Sequence, residues 1–212
     1  MSGSRVTRVS YKLSELAKSL PEVEFKSYCE KIEELKCNDP LVIDLHLYKS
    51  GSDLKKLIPP ITRDHLILYL IVERRGSDFE KVEAVNNLLA SEQYLTNTFS
   101  DKLLAFPLTN GTVIIRSHIT HSQTLSAKPA TPWAALLSDG KIFAAFCDCV
   151  AGLGCSCIHV SALLQQAIAH TKEENSTSSN NVQIVNPKPI IPVTSLPCKW
   201  NRPGKGPVSY KF

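Results

Sequence analysis

Four of the seven cysteines in this 212-residue chain, Cys147, Cys149, Cys155 and Cys157, fall within eleven residues, and His159 follows at once. Thiolate sulfur and imidazole nitrogen are the donors of closed tetrahedral zinc sites, so the cluster reads as a Zn2+ site. The odd cysteine total argues against a disulfide framework, which uses cysteines in pairs. The core pattern is Cys147-Asp-Cys149, a spacer of seven residues, then Cys157-Ile-His159. Using Cys155 instead of Cys157 gives an alternative ligand set with a spacer of five. The remaining cysteines, Cys29, Cys37 and Cys198, are scattered. Cys147 with His159 could also form a nucleophile–base pair, but that chemistry needs a single thiol, and clustered thiols favour metal. His118 and His121 flank a predicted strand end and are candidate auxiliary ligands or a second site. His46 and His65 are isolated and read as ordinary surface or core residues.

The two halves of this pattern must come from different elements. Trp133 to Leu137, then Ser138-Asp139-Gly140, then Lys141 to Phe146 predicts a β-hairpin, because Asp-Gly between two apolar runs is a strong turn signal. A Cys-x-Cys pair in a straight strand would point to opposite faces. The chain must therefore turn at Asp148, and Val150-Ala-Gly152-Leu-Gly154 supplies small residues for that turn. Val160 to Ala169 is rich in alanine and leucine and predicts a helix starting near His159. Cys157 and His159 then lie in its first turn, where the helix dipole favours a thiolate. A single ion would clip the end of the hairpin to the start of the helix.

Ahead of the hairpin the reading is helical. Tyr11 to Leu20 carries apolar groups at helical spacing and stops at Pro21. Phe25, Tyr28, Cys29, Ile32 and Leu35 mark an amphipathic helix with Cys29 on its apolar face, ended by Asn38-Asp39-Pro40. Leu41 to Tyr48 suggests a short strand or turn. Thr62 opens a helix that runs to Arg75, ahead of Gly76. Ser77-Asp-Phe-Glu80 is a capping-box pattern, and the helix after it carries Phe79, Val82, Val85, Leu88 and Leu89 on one side. Val113 to Ile119 is β-rich. The expected fold class is α+β: a mainly helical region over 1–100, then 103–170 holding a strand and the hairpin–helix finger with its core at 131–170, then a flexible tail over 171–212 rich in Ser/Asn and then Pro/Lys.

Charge is unevenly placed. Residues 1–99 carry 14 basic and 15 acidic side chains, residues 100–170 carry 4 and 3, and residues 171–212 carry 6 and 2. Only the tail has the positive excess a nucleic acid would attract. The longest apolar run, Leu66 to Val72, is seven residues. That is far short of the roughly 20 that span a membrane. With no signal-like apolar segment at Met1–Arg8, the expectation is an intracellular protein with no membrane partner.

The pattern of hairpin, Cys-x-Cys, spacer, Cys-x-His and helix resembles the SWIM-type zinc finger. Thr131-Pro-Trp133, Ala151-Gly-Leu-Gly154 and His159-Val-Ser-Ala-Leu-Leu164 are similar to the finger that precedes a YqaJ-like viral recombinase nuclease domain in mobile-element-derived animal proteins. Leu57-Ile-Pro59-Pro60-Ile-Thr62 and Pro197-Cys198-Lys-Trp200 extend the likeness more loosely. The resemblance implies Cys147, Cys149, Cys157 and His159 as the zinc ligands, because Cys-x-His closes the family pattern. Cys155 stands where an acidic residue would be expected and is the alternative ligand.

It further implies a non-catalytic protein, nuclear, that binds DNA or DNA-associated complexes without a small-molecule substrate. Lys199, Trp200, Arg202 and Lys205 are the candidate nucleic-acid contacts, the ring by stacking and the cations on phosphate. A protein-interaction adaptor is the alternative. A fragment of a YqaJ-like nuclease is the second alternative, although the Glu-x-Lys triplet Glu34-Leu35-Lys36 falls late in a predicted helix.

Overall fold

The computed structural model describes residues 10–73, 78–96, 102–121, 127–149 and 157–172. The helices are α1 (Glu15–Lys18), α2 (Glu22–Leu35), α3 (Leu54–Leu57), α4 (Arg63–Ile67), α5 (Asp78–Thr96) and α6 (Ile158–Lys172). The strands are β1 (Leu104–Pro107), β2 (Val113–Arg116), β3 (Trp133–Leu136) and β4 (Ile142–Phe146). They form an antiparallel sheet in the order β1-β2-β3-β4. This is the expected mixture of helix and antiparallel sheet. The proposed tail over 171–212 lies outside the described residues from 173 onward.

The strand sequences explain where the sheet sits. Val113-Ile-Ile, Trp133-Ala-Ala-Leu and Ala144-Ala-Phe146 are apolar at consecutive positions, so both faces of each strand need cover. Both receive it. Ala105, Ile115, Ala134 and Ala145 face one apolar cluster with Leu54, Leu66, Leu70, Leu88, Leu163 and Leu164 from α3 to α6. Ile114, Trp133, Ala135, Ala144 and Phe146 face the other, with Ala17 of α1 and Tyr28, Ile32 and Leu35 of α2. Trp133 is fully buried there. Tyr28 packs edge-on against Phe146, with ring centroids 4.8 Å apart, and against Trp133 at 6.0 Å.

Tyr28 also reaches a buried carboxylate. Its hydroxyl donates to Asp39 Oδ1 at 2.8 Å. Asp39 further accepts from Ser14 N at 2.9 Å, Ser14 Oγ at 2.6 Å and Leu41 N at 2.9 Å. A fully buried carboxylate is tolerated because donors surround it. Burial, then the charge of Asp39, holds the Tyr28 phenol well above its ordinary range. The Asn38-Asp39-Pro40 helix stop is thus also the bolt that joins α1, α2 and the loop after them.

One local reading is settled as a turn and two change. Leu41 to Tyr48 holds a single 3-10 turn at Leu45–Leu47, capped by Asp44 Oδ1 accepting from His46 N at 3.0 Å. Thr62 does open a helix, its side chain accepting from His65 N while His65 Nδ1 accepts from Thr62 N, but after Ile67 the helix widens to a π-helix over Leu68–Val72. On α5 the apolar stripe points outward: Phe79, Val82, Val85 and Leu89 are exposed, and only Leu88 of that set is buried. The buried face is instead Ala84, Leu88, Ser91 and Tyr94. Ser91 belongs there because Gln165 Nε2 of α6 donates to its Oγ at 2.8 Å and to Leu88 O at 3.1 Å. Hydrophobic periodicity alone cannot register such an exchange of polar for apolar contact. The Ser77 end of the capping pattern lies outside the described residues.

The hairpin turn is fixed by Gly140. Its φ is +89°, and a Cβ there would come within 2.5 Å of Pro60 O and 2.9 Å of His65 Cε1. The turn thereby seats the β3–β4 hairpin against the start of α4. Gly140→Ala is expected to destabilise the fold by about 2–3 kcal/mol, combining left-handed strain with overpacking against backbone. A urea midpoint unchanged within error would contradict that contact.

Candidate metal centre

β4 ends at Phe146, and Cys147 follows directly; α6 begins at Ile158, directly after Cys157. Ser161 N donates to Cys157 O at 3.1 Å, so Cys157 is the residue from which the helix starts, and His159 sits in the first turn. The Sγ atoms of Cys147, Cys149 and Cys157 and a ring nitrogen of His159 all lie within 4.8 Å of one another. Cys147 Sγ is 3.9 Å from His159 Nδ1. Zn–S bonds of about 2.3 Å place sulfurs about 3.8 Å apart on a tetrahedron, so small side-chain shifts would close these donors on one ion. Cys147, Cys157 and His159 are buried and Cys149 is half-buried.

Asp148 makes this convergence feasible. Its Oδ1 accepts from Thr131 N at 2.6 Å, tying the residue between the two cysteines to the segment that enters β3. The chain bends at Asp148 and Cys149 instead of continuing as strand, which brings two side chains of a Cys-x-Cys to one side. The surroundings are apolar. Cys147 and Cys157 belong to the same cluster as Val160, Leu163 and Leu164. Two rings stand edge-on to the His159 imidazole: His121 with centroids 4.7 Å apart and Tyr94 at 6.3 Å.

The three sulfurs perturb one another strongly. Hydrogen bonding to Cys149, then to Cys157, then burial, holds the Cys147 thiol far above the ordinary range. Cys149 is held far below it, first by the Cys147 thiol and then by that of Cys157. One sulfur takes the negative charge and its neighbours stay protonated, because like charges this close disfavour a second ionisation. A divalent ion reverses that balance and lets all three act as thiolate ligands.

Among the described residues, the sequence-derived ligands Cys147, Cys149, Cys157 and His159 are therefore brought together, in an arrangement compatible with a metal site. His121 reaches the His159 ring without joining the donor group, and His118 is not in that group. Cys155, Lys199, Trp200, Arg202 and Lys205 lie outside the described residues, as does the spacer 150–156. Sequence reasoning placed a turn at Asp148 without seeing what its carboxylate does. An acidic residue at the x of Cys-x-Cys was the available signal. Nothing local in the sequence marks Tyr94.

Comparison with protein-family models, with curated proteins and with solved structures gives no match for this chain.

Asp148→Ala is expected to lower metal affinity about tenfold or more, the usual effect of losing a group that orients ligands. Competition with a chromophoric chelator measures this. Wild-type affinity in the variant would show that the Thr131 bond does not position the cysteines.

Proposed function

We propose that this chain is a non-catalytic, zinc-dependent binding protein of SWIM-finger type whose target is DNA or a DNA-associated complex in the nucleus. The observation that carries the zinc assignment is the Cys3His donor group within 4.8 Å. Sulfur and imidazole donors in this ratio suit zinc better than magnesium or calcium, which take oxygen ligands. Four protein ligands fill a tetrahedral ion, so the bound zinc would serve as a cross-link between the end of β4 and the start of α6. Structural zinc contributes on the order of 10 kcal/mol to folding. The chain's own residues do the rest: Asp148 orients the first cysteine pair, and Val160, Leu163 and Leu164 keep water from the buried side.

The DNA reading draws on the resemblance and on charge placement. The basic excess lies in 171–212, with 6 basic against 2 acidic side chains. A few phosphate contacts from Lys199, Arg202 and Lys205 would give weak, salt-sensitive binding. One observation favours a protein partner as second reading: Phe79 (77% exposed), Val82 (58%) and Leu89 (55%) on α5 form an apolar stripe at the surface. The nuclease-fragment reading gains nothing from Glu34-Leu35-Lys36, which sits at the end of α2 and not on a strand.

Cys147→Ser and Cys157→Ser are expected to lose stoichiometric zinc, and Cys155→Ser to retain it, by metal analysis of the purified proteins. Zinc lost only from the Cys155 variant would move the ligand set by two residues. For DNA, fluorescence anisotropy against a duplex at 20–200 mM salt is expected to give a log–log slope of about −3, from about three phosphate contacts. Joint replacement of Lys199, Arg202 and Lys205 by Ala should flatten it. Absence of binding at the lowest salt overturns the DNA reading and leaves the adaptor.

A further inference from the structure

A cavity of about 360 Å³ opens on the α1–α2 side of the sheet, between the segment 36–47 and the end of β1. Its size falls in the range of small-ligand sites. Val42, Leu47, Phe106 and Leu108 give it apolar walls. Val42 is 40% exposed and Leu47 54% exposed, so part of that wall faces solvent. Lys12 and Lys36 stand at the same opening, and neither makes an ion pair among the described residues.

The backbone ties Lys12 to the loop that follows α2. Lys12 N donates to Asn38 Oδ1 at 3.0 Å, and Asp39 N donates to Lys12 O at 3.0 Å. Lys36 is the residue that ends α2, at φ +54°, the one side-chain-bearing residue with positive φ among those described. Helices that end in this left-handed conformation usually place glycine or asparagine there. A lysine accepts strain that glycine would avoid, and keeps a cationic side chain at the cavity. One neighbouring group is compatible with an anionic guest. The Cys37 thiol is pushed up to about 11 by burial and then by Asp39, so it stays neutral at physiological pH. Asp44 is the single carboxylate of the lining, against two lysines, and its Oδ1 is turned to accept from His46 N.

We propose that this cavity binds a small amphipathic carboxylate, its apolar chain among Val42, Leu47, Phe106 and Leu108 and its carboxylate between the ammonium groups of Lys12 and Lys36. The site is separate from the Cys3His centre and does not rest on the zinc or DNA reading.

The test is isothermal titration calorimetry of the full chain with octanoate, 1-octanol and octylamine, three probes of equal chain length and different head-group charge. Octanoate is expected to saturate one site with affinity about fivefold or more above 1-octanol, and octylamine to bind weakest. Lys36→Gly is expected to weaken octanoate binding about three- to fivefold while raising the thermal midpoint, because glycine relieves the left-handed strain. Lys12→Ala should weaken it by a similar factor with the midpoint unchanged. Equal binding of octanoate and 1-octanol, no saturable octanoate binding, unchanged affinity in either lysine variant, or a lowered midpoint for Lys36→Gly overturns the proposal.

Discussion

Three largely buried cysteine sulfurs within 4.8 Å of one another and of an imidazole nitrogen cannot all be thiolates unless a cation joins them. Much of the described structure can be read as a consequence of that crowding. The sulfurs on one side follow β4, and the sulfur and imidazole on the other start α6. The four donors thus lie where the chain passes from the sheet to α6. Farther along α6, Leu163 and Leu164 join the apolar cluster on that sheet face, and Gln165 meets Ser91 of α5.

The opposite face depends on a different polar closure. Asp39 gathers donors from Ser14, Tyr28 and Leu41, and the buried Arg116 donates through Nη1 to Pro40 O at 3.2 Å. The same short loop therefore binds α1, α2 and β2. With helices on both sides, no strand of β2 or β3 has a solvent face, which is why their sequences show continuous apolar runs and not alternation. A four-stranded sheet of strands this short gains its stability from cover on both faces more than from its ladder.

The elements were legible in the sequence where local chemistry decides them. Asp139-Gly140 announced the hairpin, Pro21 and Asn38-Asp39-Pro40 announced the ends of two helices, and Thr62 announced a helix start. The donor set was legible because cysteine and histidine at these spacings have few other uses. What stayed hidden depends on tertiary partners. The burial of Ser91 in place of Phe79 or Val82 requires Gln165 from 74 residues away. The clamp of Asp148 on Thr131 requires the hairpin to exist first. The widening of α4 into a π-helix over Leu68–Val72 has no counterpart in the apolar run that encodes it.

The central claim is that one zinc ion is held by three sulfurs and one nitrogen. Zinc K-edge X-ray absorption on the purified full chain tests it most directly. The account predicts about one zinc per chain with three sulfur scatterers near 2.3 Å and one nitrogen near 2.0 Å. A shell dominated by oxygen or nitrogen, or one with four sulfurs and no imidazole, would contradict it.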